Sequence, residues 1–174
     1  RQLGLATALV EADALGGVCL NWGCIPTKAL LRASELYHQV SNASAFGIEV
    51  EGLRFDFAKL VERSRKVATK LSRGVAHLMK KNGVDVIAGR ARLESPGRLR
   101  VDTPDAEPRI LRAPHVVLAT GARARELPGL EPDGERIWSY REALRPPQMP
   151  ASLLVVGAGA IGVEFASFYR DLGC

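Results

Sequence analysis

The 174-residue sequence contains only three cysteines and three histidines. So few cysteines exclude the disulfide-dense framework of a small secreted protein. The histidines, His38, His77 and His115, are scattered along the chain, so they do not complete a metal site with a cysteine pair. The longest apolar run lies between Leu153 and Val163, which is too short for the roughly 20 residues of a membrane-spanning helix.

Aromatic residues are also scarce, at 6% of the chain, whereas the hydrophobic share of 47% and the charged share of 25% are typical of a globular protein. The formal net charge of +5 is concentrated in residues 54–100, which hold 13 Lys or Arg against 4 Asp or Glu. A basic stretch can bind nucleic acid. Here no aromatics are interleaved and no nucleic-acid motif is present, so we expect these charges to lie on the solvated face of a long helix.

Helical spacing of apolar residues predicts two long helices. The first covers residues 25–41. The second begins after Asp56, whose side chain can cap it, and ends at Asn82 and Gly83. A proline-rich linker follows later, at residues 126–150, with one short helix at residues 140–144.

Continuous apolar runs predict buried strands, and shorter runs separated by turn residues predict an antiparallel meander. The turns of the meander are expected at residues 95–97 and 103–105. The buried strands are expected at residues 5–10, 84–87, 115–119 and 153–156, and the strands of the meander at residues 91–93, 99–102 and 109–111.

A glycine-rich motif of the form G-x-G-x-x-G follows the last of these strands and precedes a helix. Gly157 permits a tight turn, Gly159 lets backbone N–H groups approach a pyrophosphate, and Gly162 lets the helix and strand pack closely. In this context the motif predicts a dinucleotide site. A glycine-rich turn without a ligand is the alternative.

Two cysteines, Cys19 and Cys24, lie close together, and Cys24 opens a predicted helix. The positive end of the helix dipole stabilises a thiolate there and lowers the thiol pKa. The spacing is compatible with a redox-active dithiol, with two metal ligands that lack further partners, or with two inert thiols.

Residues 16–31 read GGVCLNWGCIPTKALL and closely resemble the redox-disulfide signature of the class I pyridine nucleotide-disulfide oxidoreductases. The resemblance covers the whole chain in order, from the end of a first nucleotide-binding strand to the glycine motif. Within that family, the motif is most similar to the members that oxidise dihydrolipoamide for 2-oxoacid dehydrogenase complexes. Trp22 stands where many relatives have Val, a difference that we do not expect to change the chemistry.

The resemblance implies catalytic roles for four residues. Cys19 would be the interchange thiol that reacts with the lipoyl disulfide, and Cys24 the thiol nearest the flavin, so we expect a disulfide with Cα atoms within about 7 Å. Lys28 would lie beside the reactive edge of the flavin and stabilise its reduced anion. Glu164 would form an ion pair with Lys28 as a buried carboxylate.

FAD and NAD are the cofactors that the resemblance implies. Glu11, at the end of its strand, would bind the adenosine ribose, as an acid does in dinucleotide sites. The candidate FAD contacts are Glu11, Gly16, Gly17, Lys28, Ala91, Thr120, Gly121 and Ala122, and the candidate NAD contacts are Gly157, Gly159 and Gly162.

The implied fold class is α/β. Residues 1–149 would be a remnant of a Rossmann-like FAD-binding domain with an antiparallel meander, and residues 150–174 the first strand and helix of a second, Rossmann-like NAD-binding domain. The chain opens on an apparent helix end and stops after a helix, so we expect an internal fragment, inactive by itself, of a longer protein.

For the longer protein we expect a homodimer with a lipoyl domain as partner, in the cytoplasm or, in a eukaryote, the mitochondrial matrix, with no membrane or nucleic-acid partner. The alternatives are another disulfide reductase of the family, similar to mercuric or glutathione reductase, or a nucleotide-binding fragment without catalysis.

Overall fold

The computed structural model describes residues 1–104 and 106–174, so Asp105, in the second predicted turn of the meander, lies outside the described residues. The chain is a mixed α/β structure, as the sequence predicted. It divides into two compact units, each described by itself below. The first unit comprises Arg1–Gly17 and Lys70–Ala122, and the second comprises Val18–Thr69 and Arg123–Cys174.

The first unit contains a parallel pair of short strands, β1 (Ala8–Glu11) and β2 (Asp85–Ala88). They pair in register, with Val10 opposite Ile87, and Ile87 is buried. Both strands were predicted, because a continuous apolar run indicates a strand that is covered on both faces. The pairing brings together residues that lie more than 70 positions apart in the sequence.

The predicted meander is also present in the first unit. Gly89 leads into it with a φ of +151°, and a Cβ there would lie 2.5 Å from the carbonyl oxygen of Asp102, so only glycine is accommodated. Val101 is fully buried in the middle strand. The sheet has the order β3 (Arg90–Ser95), β4 (Arg98–Thr103) and β5 (Ala106–Arg112).

Five α-helices were found among the described residues, and two of them, Gly17–Trp22 and Phe57–Lys81, each contribute residues to both units. The two predicted long helices are confirmed. Asp56 caps the second of them, accepting a hydrogen bond from the backbone N–H of Lys59 at 3.1 Å. Within the described part of the chain, no helix is long and apolar enough to cross a membrane. The helices are α1 (Gly17–Trp22), α2 (Cys24–Ser41), α3 (Phe57–Lys81), α4 (Tyr140–Ala143) and α5 (Ala160–Asp171).

The core of the second unit lies where α2 packs on α5. Tyr169 on α5 is almost fully buried, and its hydroxyl donates a hydrogen bond to the carbonyl oxygen of Ala143 at 2.7 Å. This bond satisfies the one polar atom of an otherwise apolar side chain. The buried members of the core are Leu30, Ala143, Leu144, Phe165, Phe168, Tyr169 and Leu172.

Two predicted strands are wrong for this chain. Residues 115–119 and 153–156 are not in strands, and within them Val117 and Leu154 are each 87% exposed. A continuous apolar run forms a strand only where neighbouring strands supply hydrogen-bond partners. Among the residues that the structure describes, no segment pairs with either run.

Candidate active site

A disulfide joins Cys19 in α1 to Cys24, the first residue of α2. The two Cα atoms are 4.8 Å apart, which confirms the predicted pair and its expected separation. Both cysteines are exposed, so a thiol from solution can approach the bond. The disulfide closes the short break between the two helices.

Gly23 makes this break possible. A Cβ at this position would lie 3.1 Å from the Cα of Cys19 and 3.2 Å from the carbonyl oxygen of Val18, so a side chain would press on the preceding helix. The carbonyl oxygen of Gly23 accepts hydrogen bonds from both the backbone N–H and the hydroxyl of Thr27, at 3.1 and 2.8 Å. Glycine and buried threonine together fix the start of α2, and therefore the position of Cys24.

The position of Cys24 favours a thiolate once the disulfide is reduced. The first turn of α2 carries no acidic residue, and Gly23 provides no side-chain cap. The first backbone N–H groups of the helix therefore keep their partial positive charge available to the sulfur. Pro26 in this turn removes no required hydrogen bond, because its nitrogen would have no partner within the helix.

Lys28 and Glu164 form the predicted ion pair, with the Lys28 ammonium donating to Oε1 of Glu164. Lys28 lies one helical turn after Cys24 on the same face of α2, and Glu164 lies on α5, so the packing of these helices brings the charges together. The side chains are 61% and 28% exposed, so Glu164 is less buried than expected. An exposed pair contributes at most about 1 kcal/mol. The pair therefore holds the Lys28 ammonium group in position but adds little to stability.

The turn of the glycine motif has features that suit a dinucleotide site, but the apolar run before it, residues 153–156, is not in a strand. Gly157 has a φ of +106°, and a Cβ on Gly162 would lie 2.8 Å from the carbonyl oxygen of Gly157. By contrast, Gly159 faces open space and precedes the first residue of α5 without a side-chain cap. The first N–H groups of this 12-residue helix have no side-chain cap, and the glycine in front of them leaves room for a ligand. Such a helix start suits a pyrophosphate.

The candidate FAD contacts other than Lys28 lie in the first unit. Glu11 ends β1, and its carboxylate accepts a hydrogen bond from the backbone N–H of Asp13 at 2.8 Å. Gly16 and Gly17 follow with φ values of +105° and +69°, and Gly121 has a φ of +75°. A carboxylate and bare backbone at the carboxyl end of a parallel strand suit a nucleotide. Ala91 is an exposed residue of β3, and Thr120 and Ala122 are exposed residues outside the strands and helices.

The sequence interpretation missed a cluster of arginines around Trp22. The guanidinium carbons of Arg65, Arg141 and Arg145 lie 4.2, 4.6 and 5.9 Å from the centroid of the Trp22 ring. We call these four residues the Trp22–arginine cluster; all of them belong to the second unit. No local pattern reveals it, because the arginines lie 43 or more positions from Trp22 and meet it only in the folded chain.

Comparison with known proteins agrees with this geometry. The family model described as pyridine nucleotide-disulphide oxidoreductase matches residues 1–174. A dihydrolipoyl dehydrogenase of Zymomonas mobilis is 54% identical over 99% of this chain and 37% of its own length. One from Rhizobium etli is 50% identical over 99% of this chain and 39% of its own length. The chain thus spans well under half the length of the curated relatives that it matches.

Solved structures agree on the fold. LpdA from Mycobacterium tuberculosis superimposes with a TM-score of 0.87 at 29% identity, covering 96% of this chain and 37% of that one. The flavoprotein disulfide reductase RclA from Escherichia coli gives a TM-score of 0.83 at 26% identity, covering 99% of this chain and 36% of that one. Within the described residues, no group of three or more His, Cys, Asp or Glu is arranged to hold a metal ion.

Proposed function

Because the chain belongs to the pyridine nucleotide-disulphide oxidoreductase family, we propose that it forms the redox-disulfide region of a dihydrolipoyl dehydrogenase, an enzyme that oxidises dihydrolipoamide with NAD⁺. The observation that carries the proposal is the exposed Cys19–Cys24 disulfide at the start of α2. The names of several curated relatives support the choice of this substrate over that of another disulfide reductase.

The first chemical step is thiol–disulfide exchange at Cys19. A substrate thiolate attacks the sulfur of Cys19, the Cys19–Cys24 bond breaks, and Cys24 leaves as a thiolate that the start of α2 stabilises. The second substrate thiolate then attacks the substrate sulfur of the mixed disulfide and releases Cys19. The substrate is now a disulfide, its two electrons reside in the reduced cysteine pair, and the two protons of the substrate thiols pass to the cysteines or to water.

The onward path of the electrons defines the roles of the cofactor-binding residues. FAD, when bound, would accept the electron pair from the cysteines and deliver it as hydride to NAD⁺. In the first unit, Glu11 would hold the adenosine ribose, and the backbone of Gly16, Gly17, Ala91 and Thr120 to Ala122 would line the flavin nucleotide. In the second unit, the glycine motif would bind the pyrophosphate of NAD⁺ at the start of α5.

We infer that Lys28 acts directly on the flavin and that Glu164 acts through Lys28. Lys28 follows Cys24 by one turn, so it lies on the side of α2 that carries the thiol that would be nearest the flavin. A lysine there would stabilise negative charge on a reduced cofactor, and Glu164 would orient the ammonium group through the observed ion pair.

The proposal extends to the longer protein that the relatives imply. Residues 1–149 would belong to the FAD-binding domain and residues 150–174 would begin the NAD-binding domain. The full-length protein would be a homodimer that serves a lipoyl domain in the cytoplasm or, in a eukaryote, the mitochondrial matrix.

Two cysteine variants of the full-length protein test the function. Cys19→Ser should retain bound flavin and the long-wavelength band of a thiolate beside it, yet lose dihydrolipoamide oxidation. Cys24→Ser should lose both the band and turnover. Cys174→Ser is the matched control, since Cys174 is not part of the disulfide. Full dihydrolipoamide turnover by either active-site variant would refute the proposal, and reversed spectra would exchange the two roles.

A further inference from the structure

In the Trp22–arginine cluster, three positively charged guanidinium groups lie close to the ring of one tryptophan. Two guanidinium groups lie within 5 Å of the Trp22 ring centroid and the third lies at 5.9 Å. Cation–π attraction holds each group by about 0.5–1 kcal/mol at an exposed site, but like charges this close repel one another. Burial, followed by the charges of Arg145 and Arg141, lowers the pKa of Arg65 from its ordinary value.

Two of the three arginines, Arg65 and Arg145, have no carboxylate partner among the described residues. Arg65 donates a hydrogen bond to the carbonyl oxygen of Asn21 at 2.6 Å, which fixes its position without supplying a negative charge. Glu142, the acid next to Arg141, accepts hydrogen bonds from the backbone N–H and hydroxyl of Ser139 in a capping box.

Trp22, the centre of the cluster, is a near neighbour of both cysteines along the chain. Trp22 is the last residue of α1 and comes two positions before Cys24, and Cys19 is one turn before it on the same helix. Arg141 and Arg145 are exposed, as are both cysteines. A molecule that reaches the disulfide therefore approaches a surface with concentrated positive charge.

We propose that the Trp22–arginine cluster is a docking site for carboxylates on the protein that carries the dithiol substrate to Cys19. This inference rests on the proposed function, because it requires a substrate attached to a carrier. Guanidinium groups recognise carboxylates through paired, charge-assisted hydrogen bonds, and complementary charge raises the rate of encounter. Nucleic acid fits the cluster less well, because a base would need the Trp22 face that Arg65 and Arg141 already cover.

The test compares two forms of the same substrate with the full-length enzyme. One is free dihydrolipoamide, which carries no charge. The other is a reduced lipoyl domain of net negative charge, together with a variant of that domain whose acidic residues around the lipoyl-lysine are changed to amides. The enzyme variants are Arg141→Gln, Arg145→Gln and the double variant. Arg170→Gln, an exposed arginine on α5, is the matched control for loss of one charge.

Each single variant is expected to lower kcat/KM for the acidic lipoyl domain by about three- to tenfold at low salt, with a larger loss in the double variant. Rising salt should weaken the wild-type reaction until it equals that of the variants. With free dihydrolipoamide or the amide-substituted domain as substrate, kcat/KM of each Arg141 or Arg145 variant should stay within about twofold of the wild-type value. With the acidic domain, the Arg170→Gln control should also stay within about twofold of the wild-type enzyme.

Three results would overturn docking while leaving the function intact. They are equal losses with free and carried substrate, no loss with either, or arginine-dependent binding of a short nucleic acid with no change in the carrier reaction. Failure of the wild-type enzyme to oxidise free dihydrolipoamide would instead refute the proposed function, and the docking proposal with it.

Discussion

Replacement of two glycines of the G-x-G-x-x-G motif by alanine separates the packing role of the turn from its binding role. A Cβ on Gly162 would lie 2.8 Å from the carbonyl oxygen of Gly157 and 3.0 Å from Cγ1 of Val155. A Cβ on Gly159 would meet nothing within 4 Å. We therefore expect Gly162→Ala to destabilise the protein and Gly159→Ala to leave its stability nearly unchanged.

The magnitudes follow from these contacts. Overpacking costs about 1–3 kcal/mol, and the cost at Gly162 lies towards the upper end because the nearer obstacle is a backbone atom. Alanine inside a helix recovers up to about 1 kcal/mol, so the net loss for Gly162→Ala is about 1–2 kcal/mol. At Gly159, loss of a favourable N-cap residue is offset by a less flexible unfolded chain, which leaves a change of about 0.5 kcal/mol or less.

For NAD⁺ binding we expect the opposite order, with Gly159→Ala the more harmful of the two substitutions. Gly159 faces the open space in which a pyrophosphate would meet the first N–H groups of α5, and a methyl group there would intrude on it. A contact cost of about 1.4 kcal/mol raises the Kd tenfold. In the full-length protein, Gly159→Ala should therefore weaken NAD⁺ binding about tenfold without loss of stability.

The assay pairs chemical unfolding with NAD⁺ titration of the same two variants. Unchanged NAD⁺ affinity in Gly159→Ala would show that the pyrophosphate does not bind at this turn. An undiminished stability in Gly162→Ala would show that the backbone of Gly157 shifts easily, contrary to the packing argument.

Three further predictions concern other residues of the chain. In the full-length protein, Glu164→Gln should lower the flavin reduction potential because Lys28 loses the carboxylate that orients it; potentiometry that finds no change would remove Glu164 from the site. Burial raises the pKa of Tyr169 above its ordinary value of 10.0, so the folded state holds its proton more tightly and stability should fall as the pH rises above about 10. Tyr169→Phe should cost about 1–3 kcal/mol at neutral pH, by leaving the Ala143 carbonyl without its partner, and should reduce this alkaline loss in pH-dependent unfolding. Residues 1–174 alone should bind FAD weakly and should not oxidise dihydrolipoamide, because the chain spans only 37% of a curated relative; turnover by the purified chain would contradict this.

Local signals account for the features that the sequence predicted well. The helix that starts at Cys24 follows from a glycine, a proline in the first turn and apolar residues at helical spacing. The meander follows from short apolar runs between turn residues, and Asp56 marks the start of α3. In each case the determining residues lie within a few positions of the element that they specify.

Features that depend on distant partners were predicted only in part. The runs at residues 115–119 and 153–156 have strand composition, but a strand also needs a neighbour, and composition does not show whether one is present. The Lys28–Glu164 pair, 136 positions apart, was predicted only through the resemblance. The Trp22–arginine cluster escaped prediction because the resemblance treats Trp22 as a minor difference and arginine is common on any surface.

Packing of α2 on α5 gives the second unit one shared core that supports two steps of the proposed reaction. Helix α2 begins at the disulfide, and α5 begins at the glycine motif, so the same buried contacts position both helix starts. Leu30 on α2 and Phe165 and Phe168 on α5 are buried in one cluster, and burying each such side chain contributes about 1.5–3 kcal/mol. The exposed Lys28–Glu164 pair adds little to this stability, but it joins the same two helices. The apolar core therefore sets the distance between the disulfide, where thiol exchange occurs, and the glycine motif, where the dinucleotide would bind. The ion pair is not needed to hold the two helices together, so its role lies in the proposed reaction.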